Sequence, residues 1–203
     1  MKTTKRRMRD RERMRRKILD AALALFAKGG MKALSMRGIA TRIEYSPGTI
    51  YRYFEDKSAI VRELCLQGFE LFYESVMAPV DRGEFDGMGW EARWHLQGEA
   101  YLRFARQYPD YYHLMFNTPG VPWIEDPELP PMRAFNRLVE DVERSMAEGG
   151  LPRSDARTTA ISMWSGLHGL ASLRMNDNLR MVEPDEVPDL VRGVIDYLIG
   201  VEA

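Results

Sequence analysis

The chain has 203 residues, of which 45% are hydrophobic and 29% are charged, so it is long enough to bury a core in one composite fold or two small domains. Its single cysteine, Cys65, excludes a scaffold built on intrachain disulfides. The three histidines, His95, His113 and His168, are widely separated and show no zinc-ligand spacing, so we predict no metal and no cofactor.

The formal net charge of −1 hides a strong asymmetry along the chain. Residues 1–62 contain 17 Lys and Arg against 6 Asp and Glu, a net charge of +11, whereas residues 63–203 contain 12 against 24, a net charge of −12. Because neutralising phosphates supplies most of the non-specific affinity for nucleic acids, a basic segment on an acidic body is typical of a nucleic-acid-binding head.

The start of the chain superficially resembles a signal peptide, since a basic stretch precedes the apolar residues 18–27. However, Asp20 interrupts this run, and Lys28-Gly29-Gly30 follows it in place of a small-residue cleavage site. No stretch approaches the roughly 18 apolar residues that a membrane span needs. We therefore expect a cytoplasmic protein with no membrane partner.

Helical periodicity dominates the chain, and no segment alternates apolar and polar residues as a hairpin does, which predicts an all-α fold. The first helix follows a ragged basic arm and ends at Gly29-Gly30. Ser35 is expected to cap a second helix, and Ser46-Pro47 to start a third that ends near Tyr53.

The fourth helix is expected to begin with Asp56 as its cap and to continue to Pro79, followed by a loop over residues 81–89. Five prolines predict an irregular segment over residues 117–131. The remaining predicted helices span residues 90–107, 110–116, 132–148, 154–175 and 185–201.

Three helices within the first sixty residues, with a tight turn between the second and third, predict a helix-turn-helix unit. Ala21-Ala22 and Leu25-Phe26 precede Gly29-Gly30, and SMRGIA (Ser35–Ala40) and SPGTIYRYFEDKSAI (Ser46–Ile60) follow. These elements resemble the tetracycline-repressor (TetR) family of transcription regulators. The resemblance implies a flexible basic arm at residues 1–14, a helix-turn-helix DNA-binding domain at 15–62, and a helical ligand-binding and dimerisation domain at 63–203.

The resemblance also implies which residues contact DNA. Thr49 and Arg52 are expected to read bases, Arg52 through guanine O6 and N7, while Tyr51 and Lys57 hold phosphate. Free N–H groups at the start of the third helix are expected to point at phosphate, with glycine allowing a close approach. The predicted DNA-binding set is Arg37, Pro47, Gly48, Thr49, Tyr51, Arg52, Tyr53 and Lys57.

Several of these assignments have an alternative that the sequence leaves open. Tyr51 and Tyr53 could pack between helices, and Arg37 and Lys57 could be solvated surface charges. Ile50 and Phe54 are assigned to the core. The arm either tracks phosphates, enters the minor groove or is simply solvated, and its cations are Lys5, Arg6, Arg7, Arg9, Arg11, Arg13, Arg15, Arg16 and Lys17.

The last two predicted helices carry a large apolar surface. The final helix has a continuous apolar stripe, and the helix over residues 154–175 is apolar nearly all round, so it must be covered on two sides. As in the resembled family, a four-helix homodimer interface is predicted, with a wholly intramolecular core as the alternative. Its predicted residues are Leu167, Leu170, Val191, Val194, Ile195 and Leu198.

WSGLHGLASL (Trp164–Leu173), with YLRFARQYPDYYHLMF (Tyr101–Phe116), resembles the C-terminal domains of TetR-like regulators that carry a Trp…His-Gly element. The aromatic and Met content of this region suits a hydrophobic or aromatic ligand pocket, and equally suits an ordinary core. His168 is expected to be a satisfied core histidine. The predicted pocket lining is Tyr101, Phe104, Tyr108, Trp123, Phe135 and Trp164.

Together these features predict a homodimeric, sequence-specific repressor that binds a near-palindromic double-stranded operator and is released by a small hydrophobic or aromatic effector. The alternative gives the body a protein-interaction surface and a filled core, as in an activator or a nucleoid-associated factor. An enzyme would need His113 with Tyr111 and Tyr112, or His168 with Ser165, and neither set shows a nucleophile, base and orienting group. We predict no catalytic residues.

Overall fold

The computed structural model describes residues 2–119, 126–183 and 185–200. All regular secondary structure within these ranges is helical, which confirms the all-α prediction. None of the helices described combines the length and apolar character needed to cross a membrane. The α-helices are α1 (Lys2–Ala33), α2 (Met36–Ile43), α3 (Pro47–Tyr51), α4 (Lys57–Phe72), α5 (Ala78–Asp81), α6 (Trp90–Gln107), α7 (Pro109–Phe116), α8 (Pro130–Ala147), α9 (Ala156–Met175) and α10 (Val187–Ile199).

The described residues form two compact units. The first contains residues 2–68 and 110–119, and the second contains residues 69–109, 126–183 and 185–200. This division differs from the predicted boundary after residue 62, because α7 packs with the N-terminal helices. Leu114 is fully buried in their core, and the rings of Phe26 and His113 are 5.7 Å apart.

In the first unit, α1 changes direction at Gly29 and Gly30, where the first helix is predicted to end. Gly30 has a φ of 61° and a ψ of −155°, a conformation that favours glycine because other residues have a Cβ. Where the sequence predicts a flexible arm, the structure has helical turns of α1.

The helix-turn-helix follows from local capping. Ser35 Oγ accepts a hydrogen bond from the Gly38 N–H at 3.0 Å, and Asp56 Oδ1 accepts one from the Ala59 N–H at 2.8 Å, so both predicted caps form. Ser46 does not cap α3 with its side chain; its hydroxyl instead lies 3.1 Å from Thr49 Oγ1. The third helix ends at Tyr51, two residues before the predicted end.

The core of the first unit is made of apolar side chains from α1 to α4 and α7. Ile50 and Phe54 are buried in it, as predicted from their positions in the motif. Burial raises the pKa of the Cys65 thiol to about 12, so this thiol is neutral and unreactive at physiological pH. The fully buried members of the core are Ile18, Ala22, Ile39, Ile50, Ile60, Leu64 and Leu114.

In the second unit, α6 packs against α9 and α10, and α8 packs against α9. A π-helical turn, Tyr73–Met77, connects α4 to α5 and packs against both α6 and α8. The periodicity of apolar residues does not predict this turn, because a single wider turn shifts the register by only one residue.

A polar cluster is buried among the apolar side chains of the second unit. The Arg137 guanidinium donates from Nε to Asp81 Oδ1 at 2.6 Å, and its NH1 atom lies 2.6 Å from Asp141 Oδ1. Gln97 Nε2 donates to Asp141 Oδ2 at 2.8 Å. These contacts join α5, α6 and α8.

Candidate nucleic-acid interface

The third helix presents a polar, exposed face opposite the side that carries Ile50. Pro47, Gly48 and Arg52 are exposed, and the Tyr51 side chain is 56% exposed. An exposed aromatic ring of this size, placed next to a free guanidinium, suits contact with a partner rather than packing between helices. This placement favours the DNA-binding assignment of Tyr51 over its packing alternative.

The first turn of α3 offers fewer free backbone N–H groups than the sequence predicts. The Thr49 N–H donates to the Ser46 carbonyl at 2.9 Å, and Pro47 has no N–H, so these positions do not offer phosphate free backbone donors. Thr49 and Tyr53 are both half-buried, and the Tyr53 carbonyl accepts a hydrogen bond from Arg15 NH1 at 3.0 Å.

Lys57 and Arg37 flank α3 on the neighbouring helices. Arg37 is exposed on α2. Lys57 is half-buried, and its Nζ donates to the Met31 carbonyl at 3.4 Å, so this lysine ties α4 to the end of α1. The ammonium group has two further N–H bonds with which to reach a phosphate.

Two cations of the basic arm hold the helix-turn-helix together, a role that the charge pattern alone does not reveal. Arg15 lies with its guanidinium carbon 4.4 Å from the Phe54 ring centroid and pairs with Glu63 at 3.0 Å. Lys17 Nζ donates to the Ile43 carbonyl at 3.2 Å, where α2 ends, and lies 5.0 Å from the Tyr45 ring centroid. Both are therefore structural contacts between α1 and the helices that follow it.

The residues predicted to form a dimer interface divide into two groups. Leu170, Val191 and Ile195 are buried within their own chain, and Ile195 packs on Gly98 of α6. Leu167, Val194 and Leu198 are half-buried. The exposed apolar side chains on the same two helices are Ile161, Leu173 and Tyr197, which the sequence does not distinguish from the inward-facing ones.

Four of the predicted pocket residues belong to one aromatic cluster. Trp164 Nε1 donates to the Tyr101 hydroxyl at 3.2 Å, and the rings of Phe104 and Tyr108 are 5.3 Å apart. Phe72, which was not predicted, joins them, since its ring packs edge-on against Tyr101 and Phe104 at 5.6 and 5.2 Å.

The other two predicted pocket residues lie elsewhere. Phe135 lies apart from these ring contacts, with the Arg157 guanidinium carbon 5.3 Å from its ring centroid, and Trp123 lies outside the described residues. A surface cavity of about 220 Å³ lies between α6 and α9. None of the predicted pocket residues that the structure describes lines this cavity; its lining is Leu102, Ala105, Arg106, Ala171, Arg174 and Met175.

The side chains considered for catalysis are engaged in structural contacts. Ser165 Oγ donates to the Ile161 carbonyl at 2.7 Å, whereas His168 Nδ1 lies 3.4 Å from the Tyr101 hydroxyl and its Nε2 lies 3.4 Å from Ser172 Oγ. Burial lowers the pKa of His168, as expected for a core histidine. In the described ranges, no three His, Cys, Asp or Glu residues come together as metal ligands.

The first unit thus has the fold of a DNA-binding helix-turn-helix protein, and the outer face of its third helix is exposed. The family model described as "Bacterial regulatory proteins, tetR family" matches residues 18–64, and that described as "Tetracyclin repressor-like, C-terminal domain" matches residues 94–198, which is more than half of the chain. The chain therefore belongs to the TetR family, a family of regulators and not of enzymes.

Curated relatives are similar to part of the chain. The HTH-type transcriptional repressor KstR of Mycolicibacterium smegmatis is 42% identical over 82 residues, which cover 38% of this chain and 35% of that protein. The HTH-type transcriptional regulator UidR of Escherichia coli K12 is 33% identical over 67 residues, which cover 33% of this chain and 34% of that protein. The chain spans about a third of the length of these relatives.

Solved structures share the fold over nearly the whole chain. A protein of unknown function from Rhodococcus sp. RHA1 superposes with a TM-score of 0.74 at 24% identity and covers 92% of this chain and 93% of that one. The structure of AibR in complex with isovaleryl coenzyme A and operator DNA has a TM-score of 0.69 at 17% identity and covers 91% and 97%. At these identities the likeness concerns the fold alone.

Proposed function

We propose that the protein is a cytoplasmic, homodimeric transcriptional repressor that binds a near-palindromic operator and is released by a small hydrophobic or aromatic effector. The observation that carries this proposal is that the third helix has one buried and one exposed side. Its inner residue Ile50 is fixed in the core, while Tyr51 and Arg52 remain exposed in a unit that is strongly basic. A short helix held in this way suits insertion into a major groove.

The relatives support the same interpretation, since KstR is named as a transcriptional repressor and AibR is crystallised with operator DNA. Arg52 has the exposure and the planar group needed to pair with guanine, and Thr49 can contact a thymine methyl with its own methyl group. Tyr51, Lys57 and Arg37 are assigned to phosphate, where removing a side chain weakens binding to every sequence alike.

The test begins with selection of an operator from a pool of random duplexes by the wild-type protein. On that operator, Arg52→Ala should cost about 1–3 kcal/mol and relax preference at one base position, because the variant has no guanidinium to pair with guanine. Arg103→Ala, which removes an exposed arginine of α6, is the matched control and should bind as the wild type does. Enrichment of no sequence by the wild type would contradict the proposed function.

Lys57 can be tested on the same duplex. If it holds phosphate, Lys57→Ala should reduce affinity for all duplexes and lower the slope of log affinity against log salt by about 0.9 for each phosphate that the lysine neutralises. If Lys57 only ties α4 to the Met31 carbonyl, the variant should lose thermal stability and keep its salt slope. The two readouts separate a phosphate contact from a structural one.

For the dimer, we assign the interface to the outward faces of α9 and α10. On these faces Ile161 and Leu173 are 40% and 44% exposed, Tyr197 is 85% exposed, and a side chain added at Gly169 or Gly193 would meet nothing within 4 Å. The half-buried Leu167, Val194 and Leu198 border these faces, whereas Leu170, Val191 and Ile195 act as the core beneath them. Two helices from each subunit would form the four-helix interface.

For the effector, we assign the apolar contacts to the aromatic cluster of Tyr101, Phe104, Tyr108 and Trp164, in which the Trp164 indole N–H donates to the Tyr101 hydroxyl. The nearby surface cavity adds the guanidinium groups of Arg106 and Arg174, which would accept a weakly acidic apolar compound. A screen of apolar and aromatic compounds by thermal shift and operator release tests this. A compound that stabilises the protein and releases DNA would identify the effector class.

A further inference from the structure

A wide groove lies in the first unit between the N-terminal half of α1 and the end of α3. Its volume is about 770 Å³. One wall carries Arg7, Arg11, Arg13 and Lys17 of α1, and the opposite wall carries Tyr45, Arg52 and Tyr53. The groove therefore joins the basic arm to the helix that is proposed to read the operator.

The spacing of the α1 residues explains why only some arm cations face the groove. Arg7, Arg11, Met14 and Lys17 recur at i, i+4, i+7 and i+10, which places them on one face of a helix, and all four line the groove. Arg9 and Arg16 lie about half a turn away on the same helix, at 100° per residue. Both are exposed, so they carry the same charge on the opposite face.

The groove holds more positive charge than the fold uses. Five of its lining residues are cations, and its single acid, Asp10, pairs with Arg13 at 3.3 Å, so a net charge of +4 remains. Arg7, Arg11 and Arg13 are exposed, and the core of the unit begins only at Ile18. Like charges gathered on one face repel each other unless a polyanion lies between them.

The dimensions of the groove match a nucleic-acid strand. Ten residues of α-helix from Arg7 to Lys17 rise about 15 Å, and phosphates of one DNA strand recur every 3.4 Å along the duplex axis, so a wall of this length can face more than one phosphate of a strand. Tyr45 and Tyr53 supply hydroxyl groups on the other wall, where Arg52 connects the groove to the outer face of α3.

We propose that this groove holds the sugar–phosphate backbone of operator DNA that flanks the bases read by α3. Arg7 and Arg11 contact phosphate there, so the arm lengthens the footprint on each half-site. This inference rests on the proposed function, since it requires a duplex seated on α3. It assigns the arm to the backbone and gives it no part in base reading.

The test compares two double variants that remove equal charge. Arg7→Ala with Arg11→Ala removes two of the four cations on the α1 wall of the groove, whereas Arg9→Ala with Arg16→Ala removes the same charge from the opposite face. Alanine is the strongest helix former, so both variants should keep the helix content of α1, which circular dichroism verifies. Affinity is measured by fluorescence anisotropy against salt, on the operator that the wild type selects.

The duplex is used in two lengths, one with about one helical turn of 10 base pairs on each side of the selected core and one trimmed to that core. On the long duplex, the groove variant should lose about 1.8 in salt slope for each subunit, at 0.9 for each of two phosphate contacts. The matched variant should keep the wild-type slope. On the trimmed duplex, the wild type should bind no better than the groove variant.

Equal slopes for the two double variants, whether both reduced or both unchanged, would overturn the inference while leaving the proposed function intact. A wild type that binds both duplex lengths equally would overturn it as well. The proposed function fails separately, at the selection step, if the wild type enriches no sequence.

Discussion

Gly48 is a glycine that the fold itself does not require. A Cβ built at this position would meet only Ser46 Oγ, at the ordinary contact distance of 3.8 Å, and its φ is not in the left-handed region. Because the chain has room for a side chain, the fold alone sets no requirement for glycine at this position. A partner whose surface approaches the backbone of α3 closely supplies such a requirement.

We therefore predict that Gly48→Ala folds with wild-type thermal stability and loses at least about tenfold in operator affinity, or about 1.4 kcal/mol. Gly89→Ala is the matched control, since a Cβ at Gly89 would meet nothing within 4 Å and Gly89 lies before α6 in the second unit. The control should bind DNA normally. Thermal denaturation measures the stability of both variants, and fluorescence anisotropy on the selected operator measures their affinity. An undiminished affinity of Gly48→Ala would show that Gly48 does not lie in the DNA interface.

His168 makes the stability of the second unit depend on pH. Burial lowers its pKa, so the unfolded chain binds a proton more readily than the folded one, and stability falls as pH drops below the ordinary value of about 6.5. His168→Asn removes this titration. The melting temperature of the variant should fall less than that of the wild type between pH 7.5 and pH 5.5, and parallel falls would contradict the assignment.

At the level of elements, Arg137 is the point where α5, α6 and α8 depend on one another. Burial raises the pKa of Asp141, even though Gln97 and Arg137 both favour its charged form. At Asp81, the hydrogen bonds from Tyr73 and Arg137 outweigh burial and lower the pKa. The Arg137 guanidinium thus offsets part of the cost of burying the Asp141 carboxylate.

Arg137→Met should destabilise the protein by about 3–5 kcal/mol at pH 7, because it leaves Asp141 buried and unpaired. The destabilisation should shrink towards pH 5, since a carboxyl with a raised pKa costs stability as pH rises through the window above its ordinary value. Adding Asp141→Leu should recover much of the stability. Urea denaturation at both pH values measures the free energy of unfolding. Arg103→Met, at an exposed position of α6, is the control and is expected within about 0.5 kcal/mol of wild type.

Helix positions were predictable where a local signal marks each end. The sequence predicts α6 over residues 90–107, as observed, because Gly89 precedes it and Tyr108-Pro109 stops it. The π-helical turn was not predictable, because a single i→i+5 turn shifts the apolar spacing by only one residue. Nor was the association of α7 with the N-terminal unit, which depends on contacts such as the Tyr111 hydroxyl with Gln67 at 3.3 Å.

The candidate site shows the same limit at the level of side chains. The outward direction of Arg52 and the burial of Ile50 follow from helical spacing, and both are observed. The use of Arg15 to hold the Tyr53 carbonyl could not be predicted, because the two residues are 38 positions apart in the chain. A run of cations predicts a positively charged surface, but it does not show which of the cations make contacts within the fold.

For the whole molecule, the assembly depends on which face of the last two helices is free. Apolar spacing predicts the stripe of α10 correctly, but a stripe that packs on its own chain and one that packs on a second subunit have the same period. Ile195 packs on Gly98, so close that a Cβ there would lie 2.6 Å from Ile195 Cδ1. That contact assigns one side of α10 to the subunit core.

The opposite side of α10 carries Tyr197, an aromatic ring that is 85% exposed and lies on the surface proposed for the dimer. Tyr197→Asp should give a monomer with wild-type helix content, since the side chain makes little contact within its own chain and a buried unpaired carboxylate is costly in an interface. Specific operator affinity should then fall steeply, because one half-site alone binds weakly.

Met88→Asp, which alters an exposed methionine outside α9 and α10, is the control and should leave the mass unchanged. Analytical ultracentrifugation at micromolar concentration measures the mass, and a wild-type protein that sediments as a monomer with and without DNA would contradict the proposed assembly.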